Sequence, residues 1–220
     1  MREGRTLDYF RKNLIAYIRA NIVGYFFILL LFVSGVVFGA LAVKTLPGEQ
    51  KTELIGYLQI FFQGFSAWSA EAWNGTDLFV TVLFNHVKTL GLIWLLGFTV
   101  IGVPLVWFIV FTRGFVIGFT VGFLVNEYIM KGLAFALAAV LPHSLISVPA
   151  VVAAGVAATS FSLWLVRRRQ HAKTTVAYEA IGYCGLCLGL FLVLLVASVI
   201  EVYISPLFMK LVVAMLFKQS

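Results

Sequence analysis

The sequence predicts an all-α fold, a polytopic membrane helix bundle with about five transmembrane helices. Of the 220 residues, 62% are hydrophobic and 11% are charged, and the mean hydropathy is +1.03. This composition leaves too little polar surface to cover a water-soluble globule. The apolar residues form runs close to the roughly 20 residues that one bilayer crossing requires. The 16 Lys and Arg residues concentrate at the ends of these runs, where they set orientation, so no nucleic-acid site is predicted.

The first helix is predicted over residues 22–43, which contain no charged residue. Residues 1–21 carry five basic and two acidic residues, so the positive-inside rule places the amino terminus in the cytoplasm. Ala40-Leu41-Ala42 resembles a signal-peptidase site, but the apolar run before it is longer than that of a typical signal peptide. We therefore expect an uncleaved first helix within a single membrane domain that covers residues 1–220.

The next two spans are bounded by charged residues. The second span is predicted over residues 90–111, with an upstream extension through residues 78–84 as the alternative, and it returns to the cytoplasm at Arg113. The third span leaves from Phe115 and reaches the outside near residues 126–132. A last span over residues 180–204 places the carboxyl terminus outside.

The fourth span is complicated by two prolines. The apolar stretch that ends at Arg167 is far longer than one crossing and contains Pro142 and Pro149, which cannot donate helical hydrogen bonds. We expect a turn at residues 131–132, a half-helix over 133–141, an irregular segment over 142–147 and a crossing over 149–166. The alternative is a longer third helix with its outer turn at Pro142. Both arrangements end at the cytoplasmic basic run that begins with Arg167.

Residues 44–78 are predicted to lie outside and to contain an amphipathic helix. Its apolar positions recur at spacings of three and four residues: Leu54, Leu58, Phe61, Phe65 and Trp68. These residues form a candidate surface for the membrane, with Trp68 and Trp73 at the interface. The alternative is that the same stripe binds a partner protein. Residues 206–217 resemble a shorter external copy of this helix.

Glycines at four-residue spacing predict close helix contacts. Gly114, Gly118 and Gly122 form a groove that admits a neighbouring backbone, beside a ridge of phenylalanines. The neighbour is another helix of this chain or, alternatively, a second copy or a partner protein. Other positions assigned to helix packing are Gly35, Gly39, Gly185 and Gly189.

The candidates for chemistry are few. Cys184 and Cys187 have the spacing of a redox dithiol, but they lie within an apolar span and are assigned to packing. His143, Ser144 and Ser147 form a polar break at the prolines. Their side chains either satisfy backbone groups freed by the prolines or mark a functional site at membrane depth.

Other polar residues receive simpler assignments. His86 is interpreted as an interfacial polar residue. Glu127 is expected to pair with Lys131, one turn later, so no metal site is predicted. Motifs for metalloproteases, serine hydrolases and phosphate-binding loops are absent from the sequence, and the serines near His143 lie too close along one segment for a triad. No catalytic residue or cofactor is predicted, and the protein is not expected to be an enzyme.

A set of motifs, in order, resembles the stage II sporulation protein M family. They are Ser34-Gly35-Val36-Val37-Phe38-Gly39-Ala40, Arg113-Gly114-Phe115, Lys131-Gly132-Leu133, and Leu141-Pro142-His143 leading to Pro149-Ala150. Together they cover nearly the whole chain. In the wider family the proline segment is associated with an acidic residue near Ser147, which this chain lacks.

The resemblance implies a role in engulfment during endospore formation. It implies a scaffold in the septal or engulfing membrane that anchors two peptidoglycan-degrading enzymes. These are sporulation protein D, a lytic transglycosylase, and sporulation protein P, an amidase and endopeptidase. The alternative from the residues themselves is a small-molecule or ion transporter or channel, because interrupted helices often line substrate sites.

Overall fold

The computed structural model describes residues 16–66, 75–167 and 176–217, and these ranges contain helices and no strand. The helices are α1 (Ile22–Ala42), α2 (Gly48–Ser66), α3 (Gly75–Gly97), α4 (Gly102–Arg167), α5 (Val176–Val199) and α6 (Ser205–Phe217). A 3-10 turn (Val43–Thr45) follows α1, and a π-helical turn (Ile200–Ile204) joins α5 to α6. Among the described residues, four helical segments are long and apolar enough to cross a membrane. The prediction of an all-α fold is confirmed, and the long apolar segments fit a membrane protein.

Helix α4 is a hairpin of two arms. Its 66 residues would extend about 100 Å if straight, roughly three times the hydrocarbon thickness of a bilayer. The backbone bends at Ile129, where φ is 48° and ψ is −119°. The first arm (residues 102–128) then packs against the second arm (residues 130–167). The indole Nε1 of Trp107 donates a hydrogen bond to Thr159 Oγ1 at 3.3 Å.

The hairpin bend places a β-branched residue where glycine is favoured, because φ of 48° brings the Cβ close to the backbone. Ile129 is 72% exposed, so its side chain contributes little burial. We expect Ile129→Gly to raise stability by about 1 kcal/mol, since about 1 to 3 kcal/mol of strain is relieved and part is offset by glycine's entropy.

Thermal unfolding of the purified protein in detergent measures this effect. Ile129→Ala is the matched control, because it shortens the side chain and keeps the Cβ that causes the strain. A glycine variant no more stable than the alanine variant would contradict the prediction.

Helix α1 packs against α4 more extensively than any other pair of elements, and its closest backbone contacts are with the first arm. A Cβ on Gly118 would lie 2.7 Å from the Cα of Val36, and a Cβ on Gly39 would lie 2.8 Å from the backbone nitrogen of Phe119. Gly35 and Gly114 make equally close backbone approaches. The residue numbers rise together along the two helices, so they run parallel with their backbones in direct contact.

The predicted second span is displaced. The prediction ran from Leu90 to Phe111 and ended at Arg113, but α3 ends at Gly97 and α4 begins at Gly102. Hydrogen bonds define the intervening turn: Thr99 Oγ1 donates to Leu96 O at 3.0 Å, and Ser162 Oγ donates to Thr99 O at 3.0 Å. The turn between α3 and α4 carries no charged residue. The prediction placed the end of the second span next to the charged Arg113, and it was therefore wrong.

The predicted irregular segment over residues 142–147 is also wrong. Pro142 and Pro149 lie inside the second arm of α4, and Ile129 is the one residue of α4 with non-helical φ and ψ. The chain turns two residues before the expected turn at residues 131–132, and the alternative outer turn at Pro142 is excluded. Both prolines are accommodated because the following turns, which include Ala150, Ala154 and Ala158, are buried in the core.

Helices α2 and α6 meet at the bend of α4. Lys51 Nζ of α2 forms a salt bridge with Glu127 Oε1 at 2.8 Å. Leu58 of α2 and Met209 of α6 pack against a cluster formed by Leu124, Phe135 and Ala136. The bend, α2 and α6 therefore form one packed end of the bundle, which we call the cap.

Candidate functional site

The bundle forms a partly open polar cavity of about 390 Å³ between α1, α3, both arms of α4 and the π-helical turn. Of the predicted polar break, His143 and Ser147 line this cavity, whereas the hydroxyl of Ser144 donates to Val140 O within the helix. The polar lining residues are Asn85, His86, Arg113, Thr120, His143, Ser147 and Glu201. The structure thus brings together side chains from four separate segments of the chain.

Arg113 lies midway along the bundle and is half-buried. The next residue, Gly114, contacts the backbone of Phe32, which is halfway along α1. The prediction that Arg113 ends a span at the cytoplasmic side is therefore wrong. The residue lies near the middle of the long apolar helices. Nη2 of its guanidinium donates to Asn85 O at 3.2 Å and to the hydroxyl of Thr89. An arginine at such depth is costly in a bilayer and marks a functional site by default.

Glu201 supplies the acidic group of the cavity. It lies in the π-helical turn, a distortion that is frequent at functional sites. Its Oε2 is 3.2 Å from His86 Nε2 and 4.0 Å from His143 Nε2. One carboxylate oxygen therefore faces imidazoles from α3 and from the second arm of α4. His86, predicted to be interfacial, is instead 8% exposed.

This arrangement also supplies the acid that the sequence lacked near Ser147. Glu201 is remote from Ser147 in the chain but lines the same cavity. Arg113 and Glu201 bring opposite charges to this cavity. The planar guanidinium of Arg113 can hold an anion.

The described residues show neither a hydrolase triad nor a cluster of three His, Cys, Asp or Glu residues suited to a metal. His143 and Ser147 are one turn apart on the same arm, and no hydrogen bond joins their side chains in this part of the chain. The Nδ1 atom of His143 is buried and makes no well-formed hydrogen bond within the described ranges, although the backbone carbonyl of Ala139 interacts with this imidazole.

The predicted outer surface on α2 is only partly described. Leu54 and Leu58 are half-buried, and Leu58 packs into the cap. Trp68 and Trp73 lie outside the described residues, as do the side chains of Phe61 and Phe65. Tyr57 and Ile60 face outward instead, with 63% and 68% of their surface exposed.

The predicted packing glycines separate into two groups. Gly35, Gly39, Gly114, Gly118 and Gly122 lie at the contact of α1 with α4. On α5, a Cβ at Gly185 or Gly189 would meet no atom within 4 Å in the described structure. This face of α5, together with Cys184, borders an apolar groove beside α3. Cys187 is buried in the core, and both thiols are free.

Sequence reasoning missed Arg113 and Glu201 as site residues, although each had a signal. Both are single charges inside otherwise apolar runs, which is unusual unless the charge is used or paired. The contact between Glu201 and His86 could not be predicted from the sequence, because the two residues are 115 positions apart.

Comparison with known proteins gives one match. A family model described as Stage II sporulation protein M matches residues 28–206, which include every residue that lines the polar cavity. No curated protein and no solved structure matches the chain.

Proposed function

Because this chain belongs to the Stage II sporulation protein M family, we propose that it is a non-catalytic membrane scaffold that holds peptidoglycan-degrading enzymes during engulfment. The proposed clients are sporulation proteins D and P, and the proposed location is the septal or engulfing membrane. Membership of the family supports a sporulation-related membrane protein. We propose the scaffold role and the two client enzymes in addition to what family membership supports.

The observation that carries the scaffold role is the cap. The Lys51–Glu127 salt bridge and the contact of Leu58 connect α2 to the bend of α4. Tyr57 and Ile60 remain exposed on its other side, and α6 adds the exposed Leu207 and Leu211. Surface aromatics and aliphatics on a fixed helix are well suited to bind a partner.

The proposed topology has five crossings with the amino terminus in the cytoplasm. The crossings are α1, α3, the two arms of α4, and α5, so the cap and the carboxyl terminus lie outside. The hairpin in α4 supports two crossings, since each arm is long enough to span a bilayer. The basic residues that begin at Arg167 support a cytoplasmic end for the second arm.

Cysteine labelling tests this topology. Cysteines at positions 11 and 168 are expected to react only with reagent that enters the cytoplasm, and cysteines at positions 53 and 218 with impermeant reagent added outside. Cys184 and Cys187 are first replaced by serine to remove background. Labelling of position 218 from the cytoplasm would contradict the five-crossing arrangement.

Photocrosslinking tests the scaffold role. A photoreactive amino acid at Ile60 in sporulating cells is expected to capture a peptidoglycan-degrading enzyme, because this side chain faces outward from the cap. The matched control is the same probe at Phe26, which is also 68% exposed but lies on α1. Equal capture from both positions, or capture from neither in correctly inserted protein, would count against the scaffold role.

The transporter alternative was based first on a helix interrupted at the prolines. That argument fails, because the helix that contains Pro142 and Pro149 is continuous. The polar cavity is the remaining observation in its favour. A ligand site in that cavity is compatible with either role.

A further inference from the structure

The polar cavity contains hydrogen-bonding capacity that the protein does not use. Both hydrogen bonds that the structure shows for Arg113 come from Nη2, so the other donors of the guanidinium are available to a ligand. The buried Nδ1 of His143 makes no well-formed hydrogen bond among the described residues, although the backbone carbonyl of Ala139 interacts with this imidazole. The side chain of Ser147 lines the same space, whereas the hydroxyl of Thr120 donates to Val116 O at 2.9 Å. The cavity therefore offers several donors around one fixed positive charge.

We propose that this cavity binds a small oxyanion, a carboxylate or phosphate group, at Arg113, and that binding takes up a proton at His143, the imidazole that lines the cavity from the second arm of α4. The planar guanidinium suits the two oxygens of such a group. A volume of about 390 Å³ is enough for an anion of this size with several waters, since one water occupies about 30 Å³.

The charges that face the cavity explain the coupling to protons. Helix α3 contributes His86, the first arm of α4 contributes Arg113, and the second arm contributes His143. The π-helical turn contributes Glu201, and α1 contributes the apolar Phe32. With both imidazoles neutral, Glu201 cancels the charge of Arg113 and opposes an anion. Protonation of an imidazole offsets Glu201 and leaves Arg113 free to pair with the anion, so binding and protonation favour each other.

Calorimetry on the full chain in maltoside detergent, which contains no phosphate, tests the proposal with acetate and inorganic phosphate as probes. We expect saturable binding that strengthens by up to about tenfold per unit decrease in pH between about pH 7.5 and about pH 5.5, the range where imidazoles titrate. Titration in two buffers of different ionisation enthalpy should show proton uptake on binding.

Variants locate the site. Arg113→Gln should weaken binding at least about tenfold, and Arg113→Lys should weaken it less, because the charge remains and the planar fork is lost. Glu201→Gln should strengthen binding at the higher pH and flatten the pH dependence. Lys44→Gln is the matched control, since this exposed cation lies at the outer end of α1. Each variant must elute as a monodisperse species before comparison.

The oxyanion has two sources that the experiment separates. Lipid phosphorus that stays with the purified wild type and is lost from Arg113→Lys identifies a lipid headgroup, whereas binding of added acetate or phosphate identifies a free anion. The proposal is overturned if wild type neither retains phosphorus nor binds the probes, or if Lys44→Gln weakens binding as much as the Arg113 variants. Either failure leaves the crosslinking test of the scaffold role unaffected.

Discussion

Gly118→Leu is expected to prevent α1 from packing against α4 and to destabilise the protein by more than about 3 kcal/mol, above the usual range for an overpacked core. Any Cβ at this position would lie 2.7 Å from the Cα of Val36, so the obstacle is backbone and not a side chain that can rotate away. The two helices would have to separate along their whole contact. Thermal unfolding in detergent and the yield of monodisperse protein measure the loss.

Gly185→Leu is the matched control. It introduces the same side chain into the same type of helix, but a Cβ at Gly185 meets no atom within 4 Å in the described structure. We expect the Gly185 variant to unfold within a few degrees of wild type. Equal damage from both substitutions would show that leucine is harmful in any membrane helix here, and not specifically at the contact between α1 and α4.

The second large effect is an asymmetry between the two charges of the polar cavity. Glu201→Gln is expected to destabilise the protein by about 1 to 2 kcal/mol, because it leaves the half-buried Arg113 without the carboxylate that lines the same cavity. The value lies below the lower end of the range for fully buried pairs, since the Glu201 side chain is 31% exposed. Arg113→Gln should destabilise the protein less than Glu201→Gln does. The remaining carboxyl can take up a proton, whereas a guanidinium cannot lose one.

The double variant Arg113→Gln with Glu201→Gln completes the test. It should be more stable than Glu201→Gln alone, since it removes the uncompensated guanidinium, and the coupling energy follows from the four unfolding measurements. If Arg113→Gln is as damaging as Glu201→Gln, or if the two losses simply add, the two charges do not balance each other in the folded protein.

The predicted fold was accurate where apolar periodicity and length carried the information. Residues 22–43 were predicted as the first helix, and α1 with its 3-10 turn occupies Ile22–Thr45. The last span, predicted over residues 180–204, corresponds to α5 and the π-helical turn. In both cases an uncharged run of about the length of a bilayer crossing, residues 22–43 and residues 180–200, leaves little choice about where the helix lies.

The errors arose where one local rule was applied without its context. Arg113 was interpreted as a span end because arginine usually marks the cytoplasmic side, but acceptor groups on α3 hold it inside the bundle. Pro142 was interpreted as a break because proline removes a hydrogen bond, but tertiary packing maintains that helix. The actual bend at Ile129 carries no sequence signal for a positive φ, so it could not be predicted from residue type.

The candidate site was predicted only in part. His143 and Ser147 were identified from their polarity next to prolines, and both line the cavity. Arg113 and Glu201 could have been suspected as lone charges in apolar runs. The meeting of Glu201 with His86 and His143 depends on three helices that are distant in the chain, and neither residue spacing nor composition carries that information.

The parallel contact between α1 and α4 has a consequence for synthesis. Gly35 leaves the ribosome about eighty residues before Gly114, which at about 5 to 20 residues per second corresponds to roughly 4 to 16 seconds. During that interval the glycine face of α1 has no partner from its own chain. Helix α1 therefore reaches its closest native contacts only when about half of the chain has been made. In that period its small-residue face is open to lipids, to insertion factors and to α1 of other nascent chains.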